Sequence, residues 1–140
     1  MLFYTTSISP AKTIGEIMET LSSAGAKEIT VQYDDSNLPV ALCFSLSSKG
    51  QKVFFALPCR WEGVFKCLEN DAKVQRSMRT KEQALRTSWR ILKAWVDAQM
   101  ALIEAELATT TEAFFQYALT KEGTTIFQKL TTGNGQSFLM

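Results

Sequence analysis

A chain of 140 residues, 46% hydrophobic and 21% charged, has the size and composition of one globular domain that stands on packing without a disulfide or metal staple. It contains no histidine, which excludes Ser-His and Cys-His nucleophilic chemistry and removes the commonest metal ligand. Its formal net charge of +1 excludes a uniformly basic nucleic-acid coat while leaving local patches open.

The opening run Leu2–Ile8 reads as a strand. Ser9-Pro10 then supplies an N-cap and a proline at the first helical position. Ile14, Ile17, Met18 and Leu21 recur at helical spacing and Gly25 suits an end, so the first helix is expected over about residues 10–24. Ile29, Val31 and Tyr33 alternate with polar residues, the Asp34-Asp35-Ser36-Asn37 cluster marks a turn, and Val40–Leu46 and Lys52–Leu57 give two more short strands. Strands joined by such tight turns can only be antiparallel, because a parallel pair needs a crossover of a dozen or more residues.

Beyond Pro58 the periodicity becomes helical. Trp61, Val64, Phe65 and Leu68 mark a short helix, and residues 70–79 form a polar, basic connector. Thr80-Lys81-Glu82-Gln83 has the form of a capping box, in which threonine and glutamine reciprocally satisfy free backbone N–H groups. The long helix that begins there is expected to run to about Leu107, with Leu85, Trp89, Leu92, Val96, Met100 and Ile103 along its inward stripe. A 28-residue helix spans about 42 Å, more than a compact domain of this size requires, so part of it is expected to pack against another subunit. Thr109-Thr110-Thr111-Glu112 starts a short helix containing Phe114, Phe115, Tyr117 and Leu119; Ile126–Leu130 is a last apolar segment before Gly133-Asn134-Gly135. The expectation is a single α+β domain over 1–140: an N-terminal helix with an antiparallel meander of three to four strands in 1–58, a helical half dominated by a long amphipathic helix in 59–119, and a tail in 120–140.

Charge is unevenly distributed. Residues 71–94 hold seven Lys/Arg against two Asp/Glu, a local +5 inside a total of +1. Arg86, Arg90 and Lys93 fall at i, i+4 and i+7 and share a helix face, where like charges repel by a few tenths of a kcal/mol per pair. That spacing fits either a solvated face or an anion site, for which arginine forks suit phosphate oxygens. Arg76 and Arg79 in the connector extend the patch, and Trp89 beside the stripe offers a ring for stacking on a base, against its ordinary role as core.

Other residues carry less. Asp34 and Asp35 read as turn formers whose side chains bond their own backbone. Cys43, Cys59 and Cys67 contain no C-x-x-C pair and point to a reducing compartment. Cys59, next to Arg60 at a helix start, is the one position where a lowered thiol pKa is conceivable. No catalytic set, metal site or cofactor motif is spelled out, no apolar run reaches the roughly 18 residues of a membrane span, and the first residues lack the form of a secretory signal.

Lys12–Ile17, Tyr33-Asp34-Asp35, Phe55-Ala56-Leu57-Pro58 and above all Trp89-Arg90-Ile91-Leu92-Lys93-Ala94-Trp95-Val96-Asp97-Ala98-Gln99 resemble a family of small proteins widespread in bacteriophage genomes, over most of residues 10–119. The family has no established activity to carry over; the resemblance implies a phage origin and the cytoplasm of a bacterial host. Together with the Arg86/Arg90/Lys93 face and the missing histidine, it leads to the expectation of a non-catalytic, homo-oligomeric anti-defence sponge. Such a protein sequesters a nucleotide-derived signal such as a cyclic oligonucleotide or cyclic ADP-ribose. The second expectation is a nucleic-acid-binding accessory protein of phage replication or recombination, with the basic segment tracking a phosphate backbone.

Overall fold

The computed structural model describes residues 1–132; the Gly133-Asn134-Gly135 stretch lies outside them. In chain order it places helix α1 at Pro10–Ser23, strands β1 at Lys27–Tyr33, β2 at Pro39–Ser48 and β3 at Gln51–Pro58, then helices α2 at Trp61–Asn70 and α3 at Lys81–Glu104. Two short helices, α4 at Thr110–Ala113 and α5 at Ile126–Thr131, and 3-10 turns at Arg76–Met78 and Phe115–Tyr117 complete it. The architecture is α+β.

Helix α1 begins where Ser9 accepts a hydrogen bond from the Lys12 N–H, with Pro10 at the first position. It ends in a Schellman motif: Ala26 N–H bonds Leu21 O at 2.9 Å, Gly25 N–H bonds Ser22 O at 3.0 Å, and Gly25 takes φ +95°, a conformation that costs glycine nothing. The sheet is an antiparallel meander in the order β1-β2-β3. Alternation sends Leu42, Phe44, Leu46, Phe55 and Leu57 to the core, while Gln32, Ala41, Cys43 and Ala56 lie on the opposite face. Between β1 and β2 the Asp34 carboxylate accepts from the Ser36 and Leu38 N–H groups, both at 2.9 Å, which makes it a turn residue.

The inner sheet face shares one core with Ile14, Ile17 and Leu21 of α1 and Leu85, Trp89 and Val96 of α3. Phe44, Phe55 and Phe114 meet with ring centroids 5.4 to 5.7 Å apart, and Trp95 packs edge-on against Phe114 and Tyr117. Offset and T-shaped pairs of this kind add about 0.5–1.5 kcal/mol each beyond their buried area. A smaller cluster of Leu68, Val74 and Ala84, with Tyr4, Trp61 and Met78 against it, joins α2 to α3.

Four expectations are corrected. Leu2–Ile8 is no strand: its carbonyls are taken by side chains of α3 rather than by a neighbouring strand. Gln83 Nε2 donates to Tyr4 O at 2.8 Å and Thr6 O at 2.9 Å, Thr87 Oγ1 donates to Phe3 O at 3.3 Å, and Phe3 breaks the extended path with φ 60°. For the same reason the capping box at Thr80 is half made; Thr80 accepts from Gln83 N–H, but the amide has turned away. Third, α3 stops at Glu104, because Glu106 takes φ 59° and a Schellman motif closes on it through Leu107 N–H to Leu102 O (2.8 Å) and Glu106 N–H to Ile103 O (3.1 Å). Its 24 residues span about 36 Å, close to the diameter of a sphere with the radius of gyration of about 14 Å expected for this length. The overhang that pointed to a second subunit is therefore absent. The short helix expected after Thr109 is a single turn with a true capping box between Thr109 and Glu112, followed by the 3-10 turn. Leu119 instead pairs with Thr125. Among the described residues no helix is long and apolar enough to cross a membrane.

Candidate functional site

The basic stripe of α3 meets one carboxylate from α1 and one from α3 itself. Arg90 Nη1 donates to Glu16 Oε1 at 2.8 Å, and Lys93 Nζ to Asp97 Oδ2 at 2.7 Å. Lys93 lines a groove whose other walls include Glu16 and Glu19, a negative setting for an incoming anion. Arg86 is half buried, with Nη1 3.4 Å from Gln83 Oε1. Arg79 turns inward, its Nε and Nη2 donating to Val74 O at 3.1 and 2.9 Å and Nη2 also to Asp71 O at 3.3 Å, which pins the connector. Arg76 is exposed on the 3-10 turn. Trp89 has 0% exposure and its indole N–H donates to Pro39 O at 3.2 Å, so no ring face is left for a base. The six residues grouped by sequence thus do not converge on one open site: Arg90, Lys93 and Arg79 are spent on internal partners and Trp89 is core.

Cys59 is no activated thiol either. Burial, with Glu62 adding to it and a hydrogen bond to Ser88 opposing, pushes it up to about 12. Burial also raises Cys43. Among the described residues no three Cys, Asp or Glu side chains gather in a metal-holding group.

What the fold does assemble is a pair of clefts around Arg60. On the outer face of the sheet, Gln32 pairs across to Ala41 and Ala41 to Pro58, and in the next row Thr30 pairs to Cys43 and Cys43 to Ala56. Small side chains in the middle of both rows leave a trough. Residues 118–131 roof it: Ala118 bridges to Phe55, Leu119 N–H donates to Phe54 O at 2.8 Å, and Ile126 N–H to Ala118 O at 2.9 Å. The partly open trough, about 280 Å³, is lined by Gln32, Cys43, Ala56, Arg60, Thr125 and Gln128 among others. A second cleft of about 210 Å³ opens between α2, α3 and the 3-10 turn, lined by Val64, Ile91, Leu92 and Tyr117, and it shares Pro58 and Arg60 with the first.

Arg60 is the N-cap residue of α2 but its side chain makes no cap hydrogen bond. Its guanidinium lies 5.3 Å from the centre of the Phe127 ring, a cation–π contact. Among the described residues it has no ion pair, unlike Lys52, Arg90, Lys93 and Lys129. In sequence Arg60 stands out only as the neighbour of Cys59 at a helix start, and nothing adjacent in the chain marks it as a cleft residue. The Thr125-Ile126-Phe127-Gln128 capping box that positions Phe127, confirmed by reciprocal bonds of 2.8 and 3.1 Å, was the signal that could have located the roof.

No family model, curated protein or solved structure matches this chain.

Proposed function

We propose that this protein binds a small anionic molecule of the nucleotide class and holds it without transforming it, with Arg60 as the anion anchor in place of the Arg86/Arg90/Lys93 face. The observation that supports this is an arginine without a carboxylate partner among the described residues, in contact with Phe127, on the shared wall of two clefts. A guanidinium fork is the side chain best matched to phosphate oxygens, and concave sites with a few convergent polar groups are where small ligands are held. Sequestration of a nucleotide-derived signal, as a phage-encoded protein would perform it, is the role this binding mode would serve.

The test is thermal unfolding against a panel of cyclic oligonucleotides and cyclic ADP-ribose isomers. At about 100 times its Kd a ligand stabilises by about 2.7 kcal/mol, a rise of about 8 °C for a chain of this size. Arg60→Ala is expected to abolish the rise, and ligand released by denaturing the complex is expected to be chemically intact. The reading fails if no compound raises the melting temperature. Should the protein instead shift DNA in a gel with steep salt dependence, the exposed cations of the connector define its function and the small-molecule reading is replaced.

A further inference from the structure

The two clefts differ in chemistry, and the difference specifies what sits on either side of the anion. The cleft between α2 and α3 is walled by Pro58, Val64, Ile91 and Leu92, with the aromatic ring of Tyr117 beside them. Ser88 also lines it, its hydroxyl donating to Ala84 O at 2.7 Å, and the largely aliphatic remainder suits a flat, mostly apolar ring. The trough is the reverse. Gln128 spends its Oε1 on the Thr125 N–H, which leaves both amide hydrogens to donate. Thr125 is 7% exposed and its Oγ1 accepts from the Gln128 N–H, leaving a nearly buried hydroxyl hydrogen with no protein acceptor among the described residues. Gln32 adds a second amide from the floor. Of these donors the Thr125 hydroxyl is the buried one and calls for an acceptor; Gln32 and Gln128 are exposed where they line the trough, and a hydroxyl-rich group can accept from all three.

Resting on the reading that Arg60 anchors an anion, we infer that the ligand is two-lobed: a planar base in the α2/α3 cleft, a phosphate bridge at Arg60, and a second, sugar-like half in the trough beneath Gln128. The compound class is a phosphate-bridged dinucleotide or nucleoside diphosphate sugar rather than a mononucleotide. The order of the parts follows from where Arg60 stands, between the clefts rather than at the end of one. The guanidinium carbon lies 5.3 Å from the centre of the Phe127 ring, which holds the cation beside both clefts. Volume agrees: each cleft alone is smaller than the roughly 300–1,000 Å³ of an ordinary ligand site, and Pro58 and Arg60 line both.

Calorimetric titration of the full-length protein with ADP-ribose, NAD, cyclic di-AMP, AMP, ribose 5-phosphate and inorganic phosphate separates the possibilities. At least one of the first three is expected to bind tenfold or more tightly than AMP. Gln128→Glu keeps the carbonyl-type acceptor that caps α5 but replaces the amide donors with a negative charge. It is expected to weaken that two-lobed compound at least tenfold and AMP less than twofold, and Ala56→Leu, which fills the trough, is expected to do the same. AMP binding as tightly as every two-lobed compound, or both variants weakening AMP equally, overturns the two-lobed assignment and leaves the Arg60 anchor standing. Binding of none of these compounds, or binding untouched by Arg60→Ala, overturns both.

Discussion

Arg90 Nη1 lies 2.8 Å from Glu16 Oε1, joining α3 to α1 with the arginine side chain 19% and the glutamate 37% exposed. The partly buried pair turns what reads in sequence as a free basic face into an interhelical contact. A double-mutant cycle with Glu16→Gln and Arg90→Gln is expected to give a coupling of about 0.5–1 kcal/mol by chemical denaturation, smaller in 1 M salt. A coupling of zero at low salt would return Arg90 to the set of unpaired cations.

The amide of Gln83 holds two carbonyls of the N-terminal segment, those of Tyr4 and Thr6. Gln83→Leu keeps the volume and removes both donors, and is expected to cost about 1–3 kcal/mol. Hydrogen exchange should then show residues 3–8 losing protection before the strands do. Equal loss across the sheet would mean that this segment is part of the global folding unit.

Glu106 occupies the left-handed position that closes α3, with φ 59°. An L-residue with a Cβ is disfavoured there by about 1–2 kcal/mol, part of which glycine gives back through its freer unfolded chain. Glu106→Gly is expected to raise stability by about 0.5–1 kcal/mol, and Glu106→Val to lower it. Unfolding midpoints in urea check both signs.

The Cys59 thiol, pushed up to about 12 by burial, ionises in the unfolded chain near the ordinary thiol value of 9.0 and in the folded one only well above it. The unfolded state therefore holds fewer protons between those values, so the stabilisation is intact below about pH 9 and declines as pH rises toward 12, by at most about 1.4 kcal/mol per unit. The melting temperature of the wild type is expected to fall more steeply over pH 9 to 11 than that of Cys59→Ala. A thiol reagent at pH 8 should label the exposed Cys67 first and Cys59 only on unfolding.

The local patterns were readable where one physical signal dominated. Ser9-Pro10 and Gly25 bounded α1 because cap, proline and left-handed glycine all agree, and the alternation around Leu42 and Phe44 gave the strands because one sheet face is dry. Reading failed where a side chain served something distant in sequence. Gln83 looked like a capping partner until a segment 77 residues away claimed its amide. Glu106 ended a helix without the glycine that usually signals it. Trp89 carried two sequence readings, inward stripe and stacking ring, and packing against the sheet selected the first. Arg60 could not be found from its neighbours, since the groups around it come from β1, β2, β3 and the segment after residue 118.

The trough has Ala41, Cys43 and Ala56 in its floor, interleaved along the strands with Leu42, Phe44, Phe55 and Leu57 of the core. Neighbouring positions on one strand thus answer to different demands: even a methylene is felt on the inner face, whereas the outer one is free to change shape at little cost to folding. The shape of the trough can drift by single substitutions at alternate residues of β2 and β3 while the domain that presents it stays the same.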